Sequence, residues 1–229
     1  MRFRLWVGVL VVFAFGGAAM AEEATLESRA LRGMSSALGT AFEPNLGQTD
    51  PSVDYVARGH GYAVFLRAGG AVLSLSGGEE KQAAIGIELV GSSPDAFGEA
   101  GPQLPGRVEY SVGDESTWVK DLTRHERVTY REVYPGIDVV YYSRDGHLEY
   151  DLNLNPGADP STIRIAFTGA DGITIDDDGL LRVQVNGGDV YQHMPEIYQE
   201  ENGVRHAVCG RYVRLGATEV GFELGTYDP

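Results

Sequence analysis

Residues 134–160, YPGIDVVYYSRDGHLEYDLNLNPGADP, leave this chain the least freedom of any stretch in it. Two runs of alternating apolar residues flank Asp145-Gly146, a dipeptide suited to a two-residue hairpin turn. With those two residues as the turn, 144 pairs with 147. Tyr141 then stands opposite Tyr150, Val139 opposite Leu152, and Ile137 opposite Leu154. The six share one face, which must be the buried one. A slip of one residue would scatter them over both faces, so the register is specified by the sequence. The opposite face carries Asp138, Val140, Tyr142, Glu149, Asp151 and Asn153. Asn155-Pro156-Gly157 ends the second strand.

The same period of two recurs along the chain. Ile85, Ile87 and Leu89 alternate with Gly86 and Glu88. Ile163, Ile165 and Phe167 alternate with Arg164 and Ala166. Leu181, Val183 and Val185 alternate with Arg182 and Gln184, and Phe222 and Leu224 repeat the pattern near the end. Short alternating runs broken by frequent turn residues predict an all-β antiparallel β-sandwich-like domain with few short helices. Two helix candidates stand out. Glu23 to Leu38 reads as a short helix or an N-terminal arm within 22–40, and Glu115 to Leu122 reads as two helical turns. The Gly/Pro-rich stretch 91–106 is expected to join two sub-sheets of one domain spanning 41–229.

The first 21 residues read as a signal peptide outside the fold. Arg2 and Arg4 form a basic start, Leu5 to Phe15 an apolar run, and Ala19-Met20-Ala21 a small-x-small cleavage site before Glu22. An uncleaved membrane anchor is the alternative. No cysteine follows the apolar run, which argues against a lipid anchor, and no later stretch is apolar enough for a transmembrane helix. Export to the periplasm, cell surface or exterior of a bacterium is the expectation. Removing Arg2 and Arg4 takes the 18 basic residues to 16 against 33 acidic ones, so the net charge moves from −15 to −17. Such acidity argues against nucleic acid and anionic membranes as partners. Cys209 is the single cysteine, which rules out an intrachain disulfide; it is expected to be a buried, inert thiol in a strand.

Few residues suggest chemistry. Asp138, Glu149 and Asp151 share the polar face of the hairpin, with Glu149 and Asp151 about 7 Å apart at Cα. Paired carboxylates at such spacing serve glycosidases, whereas a solvated acidic face is the plainer expectation. Asp176-Asp177-Asp178-Gly179 invites a calcium reading with Asp176 and Asp178 as ligands. An EF-hand register, however, puts Thr174 and Val185 where acids belong, so a hairpin turn between ITI and LLRV is expected, or at most a loose surface calcium site. The five histidines show no metal-ligand spacing. No nucleophile elbow, phosphate loop or dinucleotide fingerprint is present, and no cofactor is expected.

Three segments carry a resemblance. FEPNLGQTDPSVDYVARGHGYAVFL (42–66), RVTYREVYPGIDVVYY with LEYDLNLNPGADPSTIRIAFTGADGI, and the closing PEIYQEENGVRHAVCGRYVRLGATEVGFELGTYDP together resemble the all-β domain that precedes seven-bladed β-propeller (SBBP) repeats in bacterial exported proteins. Phe42-Glu43-Pro44-Asn45 with Gly47-Gln48, and Tyr134-Pro135-Gly136-Ile137-Asp138, are its most specific motifs. The resemblance implies an exported domain with a C-terminal β-propeller as its neighbour and with no established catalytic residues. Here the sequence stops at Pro229, as either a stand-alone version or a truncated one. The expected function is therefore a non-catalytic structural or interaction domain of the cell envelope, meeting a cell-surface protein or a glycan. The alternative is a carbohydrate-binding module or hydrolase built on Asp138, Glu149 and Asp151, with Tyr142 as a stacking platform.

Overall fold

Nearly every alternating run becomes a strand. A computed structural model describes residues 5–14, 41–59, 62–76, 82–111, 113–144, 146–186 and 188–228. Along the chain the strands are β1 (Leu5–Ala14), β2 (Phe42–Pro44), β3 (Tyr55–Gly59), β4 (Tyr62–Arg67), β5 (Gly70–Ser76) and β6 (Gln82–Leu89). There follow β7 (Gly98–Ala100), β8 (Gln103–Tyr110), β9 (Val119–His125), β10 (Arg127–Tyr134), β11 (Ile137–Arg144), β12 (His147–Leu154) and β13 (Ile165–Thr168). The last are β14 (Gly172–Ile175), β15 (Leu181–Val185), β16 (Gly188–Gln192), β17 (Glu196–Glu201), β18 (Val204–Ala207), β19 (Gly210–Arg214) and β20 (Glu219–Leu224).

Two ten-stranded sheets result, and the recorded pairings are antiparallel. Sheet A runs β14-β15-β16-β1-β12-β11-β10-β7, with β17 also paired to β1 and β18 to β17. Sheet B runs β19-β20-β13-β6-β5-β4-β3-β2-β9-β8. One apolar core lies between them, as in a β-sandwich. Tyrosine hydroxyls tie the layers together. Tyr62 donates to Gly146 O at 2.8 Å, Tyr130 to Asp54 Oδ2 at 3.0 Å, and Tyr134 to Val90 O at 3.1 Å. Each buries a ring while satisfying its polar tip.

The β11–β12 hairpin has the register that its sequence requires, from Ile137↔Leu154 to Arg144↔His147. Ile137, Val139, Tyr141, Leu148, Tyr150, Leu152 and Leu154 are all buried. Gly146 takes φ +79° in the turn, a left-handed value that glycine adopts without strain. Tyr130, Tyr141 and Tyr150 stack across β10, β11 and β12, with centroid separations of 6.1 and 5.9 Å. Burying each such ring contributes about 1.5–3 kcal/mol.

Three expectations need correction. The stretch 91–106 does not divide the sheets, because β7 lies inside it and both sheets take strands from either side of it. Glu115 to Leu122 is not a two-turn helix. A single 3-10 turn, Glu115–Thr117, is capped by Asp114, whose side chain accepts from Ser116 N; β9 follows at once because its residues pair with β8. Cys209 is exposed, at the break between β18 and β19, where Val208 takes the inward position instead. Leu5–Ala14, inside the stretch read as a leader, pairs as β1 in the middle of sheet A. Its four valines suit a strand as well as an apolar leader. The helix or arm expected at 22–40 lies outside the described residues.

Candidate functional site

The outer face of sheet A holds a cavity of about 990 Å³. Alternation along β11 and β12 decides what it contains. With Tyr141, Tyr150 and Leu152 committed inward, Tyr142, Glu149, Asp151 and Asn153 must point outward. Asp176 and Asp178 reach its rim from the β14–β15 loop, and Tyr198 and Arg205 from β17 and β18. The cavity therefore gathers two groups of acids that lie far apart in sequence.

This face is not a flat, solvated one. Glu149 is only 6% exposed. Its Oε2 lies 3.4 Å from Arg144 Nη1. Asp151 Oδ1 accepts from the Tyr142 hydroxyl at 2.9 Å. Burial pushes the Asp151 carboxyl up to about 6; the Tyr142 hydrogen bond opposes that rise and the Glu149 charge adds to it. The Tyr142 phenol is pushed well above its ordinary value, first by burial and then by the Asp151 charge. The aromatic faces are covered as well. The Arg144 guanidinium carbon lies 5.8 Å from the Tyr142 ring centroid, and that of Arg205 4.3 Å from the Tyr198 centroid. Ser143 Oγ and Asn153 Oδ1, both lining the cavity, are buried without a hydrogen-bond partner among the described residues.

Asp138 shares the face by register but does not join this group. It accepts from Arg131 Nη1 at 2.7 Å and from Glu132 N at 2.9 Å. Glu132 sits at φ +51° in the irregularity between Tyr130 and Tyr134, and its own Oε2 accepts from Gly136 N at 2.9 Å. Asp138 therefore pins the bend that aims β10 into β11. Pro135-Gly136 makes the turn there, with Gly136 at φ +74° and an added Cβ only 3.1 Å from Ala158 Cβ. The motif Tyr134 to Asp138 is explained by backbone geometry. So is the one near residue 42. Asn45 Nδ2 donates to Asp50 O and Val53 O, both at 2.8 Å, and Gln48 Nε2 to Pro44 O at 2.7 Å.

Asp176 is likewise committed to its own turn. Its Oδ1 accepts from Asp178 N at 3.0 Å and Leu180 N at 2.8 Å, closing the loop between paired β14 and β15. Among the described residues no three His, Cys, Asp or Glu side chains are placed to hold a metal ion. Cys209 has no catalytic histidine against it; His206 is an exposed residue of β18, whose register partner is Gln199. Sequence reasoning did not find Arg205, which reaches the site from the separate β17–β18 hairpin; Arg144, the partner of Glu149, stands in the same hairpin and was within reach of the register.

Fold and site define an all-β sandwich whose polar concavity is internally paired. Residues 42–229 match the family described as a domain of unknown function (DUF7948), and the chain belongs to that family. No curated protein and no solved structure matches it. The family's span covers β2 to β20 and leaves β1 outside.

Proposed function

We propose that this chain is an exported, non-catalytic interaction domain, with its leader removed before Glu22, and that it stands beside a β-propeller where the two occur together. One observation carries the non-catalytic part. Each candidate carboxylate is already engaged: Asp138 by Arg131, Glu149 by Arg144 and Asp151 by Tyr142. A glycosidase pair needs a second available carboxylate across from the acid, and Asp138 and Glu149 are both ion-paired. Basic residues 2 and 4, the apolar run and the Ala-Met-Ala site support export.

The second reading, a carbohydrate-binding module or hydrolase, is favoured by the cavity itself, with Tyr142 and Tyr198 in its walls. Its cost is the displacement of two arginines from those rings. Assays on a panel of chromogenic glycosides and polysaccharides separate the readings; no turnover is expected. Turnover lost in Asp151→Ala with the fold intact would establish the hydrolase instead. Glycan-array binding lost in the same variant, without turnover, would establish the sugar module. Reading the gene beyond codon 229 tests the propeller context, which in-frame repeats would support.

A further inference from the structure

Strand β1 occupies an unusual place. It is the only link between three parts of sheet A among the described residues. On one edge it pairs with β12, from Leu5↔Leu154 to Val11↔Leu148. On the other edge its first half pairs with β17, Leu5↔Gln199 to Gly8↔Glu196, and its second half with β16, Val11↔Gln192 to Ala14↔Asp189. Yet the family's span begins at residue 42, so the domain shared by its members does not include this strand. If the leader is cleaved, the same strand leaves this chain too.

What remains is a slot one strand wide. Its walls would stand about 9.6 Å apart, twice the spacing of neighbouring strands. β12 and the β16/β17 wall are both antiparallel to β1, so they run parallel to each other, and closing the gap would require a new parallel pairing. The inward positions on the walls are Leu148, Tyr150, Leu152 and Leu154 on β12, with Val190 and Ile197 opposite. Gln192, fully buried on the β16 wall, accepts at its Oε1 from the Tyr150 hydroxyl at 3.2 Å, while its Nε2 has no partner among the described residues. Open edges of this kind are templates for another strand.

We propose that the slot between β12 and β16/β17 is a strand-acceptor site, filled in the exported protein by an extended apolar segment of another polypeptide, antiparallel to β12. The inference rests on the leader removal proposed above. The occupant's chemistry follows from the strand seated there, Leu-Trp-Val-Gly-Val-Leu-Val-Val-Phe-Ala: about ten residues of strand formers without charge or proline. Residues 22–40, EEATLESRALRGMSSALGT with charges at Glu22, Glu23, Glu27, Arg29 and Arg32, offer no such run to take its place. Main-chain pairing on both edges supplies affinity, and the apolar register positions supply selectivity.

The test starts from the full chain, expressed with its leader and recovered after export. Mass spectrometry reads the N-terminus, and hydrogen exchange follows the amides of 148–154, 190–192 and 196–199. The probe is a peptide of the Leu5–Ala14 sequence flanked by lysines for solubility; its control carries Val7→Pro and Val9→Pro. The expected result is an N-terminus at Glu22, wall amides that exchange in the free protein, and slowing by about tenfold or more with the probe but not with the control. Sheet B amides should not change. Wall amides protected without peptide would mean that the gap has closed, and would overturn the proposal. So would equal protection by the proline peptide, or none by the probe. A retained Met1 with protected walls would instead sink the leader-removal reading and make β1 an ordinary internal strand; the mass distinguishes this case from the others.

Discussion

Two carboxylate regions, the Arg67–Glu88 pair on sheet B and the β11–β12 face of sheet A, are built from the same residue types and behave differently. On sheet B, Arg67 and Glu88 pair at 3.1 Å with 43% and 37% of their side chains exposed. On sheet A, Glu149 and Asp138 are 7% and 13% exposed, and Asp151 is buried enough to titrate near 6. Water screens the first pair to little net stability. The acids of sheet A sit where a missing partner would be felt. Position on a sheet, rather than residue type, decides what a carboxylate is worth here.

The largest effect should come from beneath the sheet A face. Tyr141→Ala removes the middle ring of the tyrosine stack and should lower stability by about 3–5 kcal/mol in urea unfolding. A loss below about 1 kcal/mol would mean that the inner face of sheet A is not packed as described. Next is Asp138→Ala, which leaves Glu132 N without its acceptor and Arg131 with Glu99 alone. It should cost about 1–3 kcal/mol. Any ligand found for the cavity should still bind this variant, since Asp138 serves the β10–β11 bend.

Asp151 should show itself through pH. Its folded-state carboxyl titrates about two units above an ordinary aspartate, so the native state holds the proton more tightly than the unfolded chain does. The resulting stability is fully present below pH 3.8, the ordinary value, and is lost as pH rises through 6. Asp151→Asn should therefore match the parent at low pH and exceed it by about 1–2 kcal/mol at neutral pH, its half-buried setting discounted. Melting curves across that range, parent beside variant, read the difference directly; a constant offset would contradict it. Smallest of all, Glu88→Gln on sheet B should shift stability by less than about 1 kcal/mol, and by still less at high salt. An effect as large as that of Asp138→Ala would erase the contrast between the two faces.

The sequence made the hairpin fully legible, because a Asp-Gly turn and six apolar partners leave one workable register. The sandwich followed from alternation repeated along the chain. The position of β1 was not legible. An apolar run after two arginines satisfies the rules for a leader and the propensities for a strand alike, and its pairing partners lie some 140 positions later. The site was half legible. Register placed Glu149 and Asp151 on one face and Arg144 at the end of the same hairpin, but Arg205 and the Asp176 loop arrive through three-dimensional packing that has no local signature.

Cys209 turns from a packing residue into a tool. It is the chain's single thiol, it is exposed, and the amide of its neighbour Val208 donates to Ile197 O on β17 at 2.9 Å. A maleimide fluorophore can therefore be placed beside the strand-acceptor wall without altering the sequence. The molecule carries its own reporter position, and arrival of a strand at β17 could be read as a change in emission.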